Sequence, residues 1–396
     1  MRPTNDSDSR LLLEITPRNL LSFGPDTEPI ALQNLNVLIG PNGSGKSNLL
    51  EMLALLRAAP TRLAAPVKGK GGITEWLWKG PRSSPEGRLD AVVSGSELGF
   101  SIRHSLVVGE HGGRFEVVDE EIGKISPGSD PELFEAECLY QRGNPELSSR
   151  DAEIRRLRRD SIRPEESILS QIRDPERYPL LARLQTKYED IRLFRDWSFG
   201  PGAPARREQS TLARTDFLLD DGENLALILA KLRPRRKAEL LTAIQELYAG
   251  IEDFYVDLNG GNAQLYLQEE GGRNIPASRL SDGTLRYLCL LAILLHPEPP
   301  PLIAIEEPEL GLHPDIIPHV AKLLVAASER TQLVVTTHSD VLVDALTAQP
   351  EAVIVCEKEN GESRLRRLDA AQLKAWLEKY TLGQLWSMGE IGGNRW

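Results

Sequence analysis

Apolar and polar positions alternate along this chain in blocks that change period. Leu35, Val37, Leu38 and Ile39 form a short apolar run that predicts a strand. A second block, from Ser47 through Leu49, Leu50, Met52 and Leu53, has helical spacing, and Pro60 ends it just after Ala58. Upstream, Leu11–Ile15 and Ile30–Ile39 read as strands around a turn at Gly24-Pro25-Asp26, and residues 61–87, rich in Gly, Pro and Arg, read as loop. Residues 89–119 alternate apolar and polar with glycine breaks, which predicts a β-meander, and Glu137–Gln141 predicts one more strand. The segments "RDAEIRRLRRD", "PLLARLQTKYEDIRLF", "ENLALILAKL" and "AELLTAIQELYAGI" have helical spacing. "FYVDL" and "AQLYLQEE" predict a hairpin around Asn259-Gly260-Gly261-Asn262. Two late apolar runs, Leu302–Ile305 and the one entering "VVTTHS", predict buried strands. Strands followed by helices place the chain in the α/β class. No internal repeat and no long heptad run occurs.

Composition narrows this picture. The 396 residues allow two or three domains, and a hydrophobic content of 40% supplies a sizeable core. A net charge of −11, from 47 basic and 58 acidic residues, argues against broad coating of nucleic acid but leaves room for a local basic groove. Cys138, Cys289 and Cys356 are far apart, so neither a zinc site nor a disulfide framework is expected, and a reducing cytoplasm is the simplest home. The polar stretch Met1–Arg10 reads as disordered and lacks the apolar region of a signal peptide. The longest apolar run, Tyr287–Leu295, is too short for a membrane span. Between Arg150 and Arg214 lie 15 basic and 11 acidic residues, and Lys231–Lys237 is a second basic run. Each reads either as a solvated helical face or as a surface turned to DNA or a partner. Tyr178, Tyr188, Phe194 and Trp197 do not decide between them.

Chemistry concentrates at three strand ends. Gly40, Pro41, Asn42, Gly43, Ser44, Gly45, Lys46 and Ser47 match G-x-x-x-x-G-K-[ST] between a strand and a helix, with Asn48 in the first turn. Glycines let backbone N–H groups converge on phosphate oxygens, and the helix N-terminus adds partial positive charge. Lys46 suits the β- and γ-phosphates, and Ser47 suits Mg²⁺. The bland alternative is a glycine-rich turn that holds nothing. Leu302–Ile305 ends in Glu306-Glu307, at the sheet edge where α/β ligands sit. Glu306 suits the metal shell and Glu307 suits polarising the attacking water, against the alternative of an exposed pair opening a loop. Thr336, Thr337 and His338 end another strand, and His338 can hydrogen-bond a γ-phosphate or that water.

Phosphate loop, "LSDGT", "IEEPELGLHP" and "TTHS", in this order, resemble the ATP-binding-cassette superfamily, and more closely the RecF/SMC/OLD-like branch of AAA-type ATPases. The resemblance covers about residues 11–58 and 275–345, with a weaker likeness in the tail "TLGQLWSMGEIGGNRW". It implies a two-lobed P-loop ATPase head, with lobes at 1–140 and 216–396 and a helical, Arg-rich insertion at 141–215. It also implies ATP and Mg²⁺ as cofactors. Leu280–Thr284 becomes the signature loop, so Ser281, Asp282 and Gly283 would face ATP held by the Lys46 of a second copy. Two departures stand out. Glu306 replaces the usual metal-orienting Asp, and His313 falls where an Asp normally links the two sites. A metal-sensing Gln is expected, with Gln141 and Gln209 as candidates. The 235 residues from Lys46 to Ser281 exceed a transporter cassette's usual gap, and the 58 residues after His338 show no nuclease-like acidic pattern. The expectation is an ATPase whose heads dimerise on ATP as a clamp or switch in DNA repair or in defence against foreign DNA. The alternative is a regulatory scaffold that holds or releases an effector protein without touching DNA. No membrane partner is expected.

Overall fold

The computed structural model describes residues 10–95, 99–126, 135–141, 144–148 and 154–393. The stretch expected to be disordered falls, up to residue 9, outside the described residues, as do the last three residues of the tail. The chain divides into two compact units. One comprises Met1–Ile191, Ile354–Leu368 and Ile391–Trp396, the other Arg192–Val353 and Asp369–Glu390. The division falls inside the expected 141–215 insertion rather than at its ends.

In the first unit β1 (Leu12–Arg18), β2 (Ile30–Ala31) and β3 (Leu35–Ile39) precede α1 (Lys46–Ala58). The strand and the helix around the glycine loop thus form as expected, and every residue of β3 is buried. Residues 61–87 are not all loop. They hold α2 (Ala64–Lys68) and α3 (Ile73–Trp76), because Val67, Ile73, Trp76 and Trp78 bury apolar surface that a solvated loop would expose. The meander follows as β4 (Glu86–Val93), β5 (Ser101–His111), β6 (Arg114–Ile125), β7 (Glu135–Gln141), β8 (Asn144–Ser148) and β9 (Ile154–Arg156). These strands form an eight-stranded sheet in the order β2-β1-β4-β5-β6-β7-β8-β9.

The helix expected in "RDAEIRRLRRD" is corrected. Residues 154–156 are an edge strand, where Arg156 lies opposite Glu146 of β8 and its Nε donates to that carboxylate at 2.7 Å. Helices α4 (Ile168–Gln171) and α5 (Pro179–Glu189) are tied to the sheet by a buried polar network. His104 reaches the Tyr188 hydroxyl and the Glu120 carboxylate, each at 3.0 Å, and the backbone N–H of Ile168 donates to Glu120 at 2.8 Å. Burying these groups together leaves each with a partner.

In the second unit β10 (Ile191–Phe194) and β11 (Gln209–Ser210) precede α6 (Leu225–Leu247). The two helices expected here are present as its two arms, meeting at a kink where Arg236 leaves the helical region just after Pro234, which lacks an N–H to continue the ladder. The predicted hairpin is present as β12 (Ile251–Asn259) and β13 (Asn262–Glu269), closed by Gly260 and Gly261 with left-handed φ and flanked by β14 (Asn274–Pro276). Then come α7 (Asp282–Leu294), β15 (Leu302–Glu306), α8 (Ile317–Ser328), β16 (Gln332–Thr336) and α9 (Asp340–Asp344). Strands β10, β15 and β16 lie side by side in that order. The last two are parallel, with Glu306 opposite Thr336. The chain returns to the first unit as the hairpin β17 (Val353–Glu359) and β18 (Glu362–Arg367), with β17 beside β3. Helices α10 (Ala370–Leu377) and α11 (Leu382–Met388) follow. Among the described residues no helix is long and apolar enough to cross a membrane. The three cysteines are buried free thiols.

Candidate functional site

The loop between β3 and α1 adopts a conformation that only its sequence permits. Gly40, Gly43 and Gly45 have φ of 145, 77 and 106°, in the region that disfavours side chains. A Cβ at Gly40 would lie 2.1 Å from the Cys356 carbonyl oxygen, and one at Gly45 would lie 2.2 Å from the Ser363 hydroxyl. β17 and β18 therefore press directly on the back of the loop. Ser22 braces the same side, accepting from Asn48 Nδ2 at 2.7 Å and from Ser363 Oγ at 2.6 Å. Gly43 has open space around it, and Asn42 and Ser47 are exposed.

Lys46 is buried, and its ammonium donates to the carbonyls of Gly40 at 2.8 Å and Pro41 at 3.0 Å. No side chain caps the N-terminus of α1, and no acidic residue sits in its first turn. The Ser44 hydroxyl is buried without a hydrogen-bond partner. An uncapped helix start, a held cation and an unpaired hydroxyl fit a phosphate chain.

The second unit carries the carboxylates. Glu306 ends β15, and Arg195, one residue past β10, donates from Nε to its carboxylate at 3.0 Å. Glu307 has a left-handed φ of 46°, unusual for a side-chain-bearing residue. Its N–H donates to the Thr336 carbonyl at 3.0 Å, and its carbonyl accepts from Arg286 at 2.9 Å. Those bonds hold the turn that points Glu307 away from the strand. His338 Nε2 lies 3.6 Å from the Glu307 carboxylate. Glu309 positions that histidine, accepting from the His338 backbone N–H at 2.8 Å and the Thr337 hydroxyl at 2.7 Å. Burial pushes the Glu309 carboxyl above the usual carboxylate range.

The loop Leu280–Thr284 is held by Arg206 and by its own cap. Ser281 caps α7, its oxygen accepting from Thr284 N at 3.1 Å. Arg206 binds the Leu280 carbonyl and the Asp282 carboxylate, and its Nε donates to the Phe199 carbonyl at 2.6 Å. A Cβ at Gly283 would meet the Gly311 carbonyl at 2.6 Å, so glycine is what lets the loop after Glu307 approach α7. Arg286, on the next turn of α7, lies over the rings of Trp197 and Phe199, 5.6 Å from each, and burial lowers its pKa. The segment from Arg195 to Arg206 thus touches Glu306, Arg286 and the loop Leu280–Thr284.

Gln209 is buried, and its side-chain oxygen accepts from Ala226 N at 2.7 Å at the start of α6. Gln141 is exposed at the end of β7. His313 is exposed, its ring beside Asp315. Ser47 in the first unit and Glu306 in the second each carry a hard oxygen donor of the kind Mg²⁺ takes. Among the described residues no group of three or more His, Cys, Asp or Glu forms a metal cage.

Sequence reasoning missed Ser22, Ser363, Arg195, Arg206, Arg286 and Glu309. Arg195 carried a readable signal, an apolar strand ending in a charged residue as at Glu306. Ser22 and Ser363 did not, because they are brought to the loop only by folding. Much of the positive charge that raised a DNA-facing reading is paired locally. Arg158 binds Asp160 at 2.9 Å, Arg233 and Lys237 bind Asp253 at 2.9 and 2.7 Å, and Arg236 binds Glu239 at 2.7 Å. The Arg159 side chain lies outside the described residues.

Residues 35–344 match the AAA_21 family, described as "AAA domain, putative AbiEii toxin, Type IV TA system". Solved SMC heads share the fold at low identity. An SMC head bound to the C-winged helix domain of ScpA aligns at a TM-score of 0.58 and 14% identity, over 91% of this chain and 99% of that one. A head with an extended coiled coil, bound to the C-terminal domain of ScpA from Pyrococcus furiosus, aligns at 0.54 and 14%, over 93% and 99%. A head with a coiled coil and joint from Pyrococcus yayanosii aligns at 0.51 and 12%, over 93% and 99%. No curated protein matches the chain.

Proposed function

The chain belongs to the AAA_21 family, and from that premise we propose that it binds and hydrolyses ATP as a switch whose heads pair face to face. The observation that carries the reading is the phosphate loop. Three left-handed glycines, a buried Lys46 held on the Gly40 and Pro41 carbonyls, and a helix start with no side-chain cap bring together donors that suit negative charge. ATP supplies that charge. Lys46 and the N–H groups of the α1 start bind its phosphates, and Asn42, Gly43 and Ser44 line the approach.

Ser47 and Glu306 would hold Mg²⁺, which when bound supplies charge neutralisation across the phosphates. Glu307 accepts a proton from the attacking water, and His338 orients water and γ-phosphate. The turn at Glu307 keeps its carboxylate off the strand, and Glu309 keeps the His338 backbone in register. Ser281, Asp282 and Gly283 present the start of α7 to the γ-phosphate bound by a second copy. ADP lacks that group, so only ATP favours closure. Hydrolysis releases the pair.

The work done by closure is proposed to lie in DNA repair or in defence against foreign DNA. A second reading, a scaffold for an effector protein, is favoured by α10. That helix has no buried residue, and its Trp376 is 44% exposed. SMC heads bound to ScpA set a precedent for a head that holds a protein.

Subunit exchange tests the shared site. Lys46→Ala should lose ATP binding, while Ser281→Arg should bind ATP but fail to close. Each alone should be inactive. Mixed, they should recover part of the parent turnover, because one site of each heterodimer is intact. A mixture that forms heterodimers yet stays inactive would contradict the arrangement.

A further inference from the structure

Arg195 has no place in the chemistry described so far, yet it engages the residue assigned to the metal. Its Nε lies 3.0 Å from Glu306 Oε2. Both side chains are largely shielded, at 14 and 18% exposure, so the pair is not a solvent-screened surface contact. Its position is fixed from the backbone. Phe194, fully buried, anchors the end of β10, and the Arg195 carbonyl accepts from Trp197 N at 2.6 Å. The Trp197 indole in turn donates to the Asp220 carbonyl at 2.9 Å.

We propose that Arg195 and the divalent cation compete for the Glu306 carboxylate, so that Arg195 sets how much metal the nucleotide-bound chain requires. The inference rests on the reading of Glu306 as the metal carboxylate. A guanidinium and a metal ion both seek the same oxygens, and each repels the other at such distances. Without nucleotide the arginine neutralises the carboxylate. With nucleotide, the phosphates add negative charge, the cation becomes the stronger partner, and Arg195 is released from Glu306. Arg195 is therefore a positioning residue that acts through Glu306. Its release would be felt along the segment to Arg206, which grips the signature loop at Leu280 and Asp282. A purely structural Arg195, one that only props Glu306 in place, predicts the opposite sign, because its removal would disorder a metal ligand and weaken metal binding.

The test uses the full chain, Mn²⁺ as the metal and the β,γ-imido analogue of ATP, with free Mn²⁺ read by electron paramagnetic resonance. Nucleotide affinity without metal is measured alongside with a fluorescent analogue. Arg195→Gln should bind Mn²⁺ on the order of tenfold more tightly in the nucleotide complex. Arg195→Lys, which keeps the charge, should stay near the parent and shows that the site tolerates substitution. In a Glu306→Gln background the Arg195→Gln gain should disappear. Unchanged or weakened Mn²⁺ binding in Arg195→Gln with nucleotide bound would overturn the competition alone, as would a gain that persists without the Glu306 carboxylate. A parent chain that binds no nucleotide would overturn the phosphate-loop reading as well.

Discussion

At the scale of single residues, the site depends on groups held in costly states. Glu307 occupies a left-handed backbone conformation that a side chain disfavours, and its neighbours Thr336 and Arg286 hold it there through main-chain bonds. Glu309 is the second such group. Its carboxyl takes two hydrogen bonds on one oxygen, while the other oxygen is buried without a partner. Burial raises its pKa in the fold above that in the unfolded chain. The folded state therefore keeps the proton to higher pH than the unfolded state does. The stability this group contributes is complete below its unfolded pKa and is lost as pH rises through the folded one. Glu309→Gln keeps the accepting oxygen and cannot ionise. Its melting temperature should therefore rise relative to the parent between acid and neutral pH, as read by calorimetry at several pH values. A difference that shrinks as pH rises would mean that the ionised Glu309 is the stabilised form. Neither Glu307's backbone nor Glu309's burial was visible in the sequence, which showed only a run of acidic residues after an apolar strand.

At the scale of elements, the sequence was most legible where one local signal governs. The glycine loop, the strand before it and the helix to Ala58 form as their pattern predicts, because φ preference and apolar spacing act within a few residues. Ser281 caps α7 for the same reason. The pattern misled where pairing across the sheet decides. Ile154–Arg156 has helical spacing but becomes an edge strand against β8, and residues 61–87, expected as loop, hold two short helices, the second ending at Trp76. The Arg195–Arg206 segment looked like part of a basic insertion. Its arginines instead reach acceptors distant in sequence, Glu306 and the Leu280 carbonyl, which composition cannot reveal. Gly283 belongs to this scale too. Its Cβ position overlaps the Gly311 backbone, so Gly283→Ala must push α7 away from the loop that follows Glu307. That overpacking should cost about 1–3 kcal/mol. Chemical denaturation would read the loss, and nucleotide binding to the phosphate loop should survive. Parent-like stability would mean that the loop yields freely.

At the scale of the whole molecule, the fold is that of an SMC-type head, and the family assignment supports ATP as its fuel. The sequence carries no long heptad run. What the heads hold is the least legible part of the sequence. Charge is locally paired over much of the basic segment, and α10, which has no buried residue, presents Trp376, with Tyr380 exposed just past its end. The central claim is that ATP, through its γ-phosphate, joins two heads and that hydrolysis parts them. Glu307→Gln separates these steps, because an amide keeps the shape of the side chain but is a poor base. The deciding measurement is multi-angle light scattering of Glu307→Gln with Mg²⁺ and either ATP or ADP. The account predicts twice the mass, stable over hours, in ATP and no such gain in ADP. The same mass in both nucleotides, with binding of each confirmed, would contradict it.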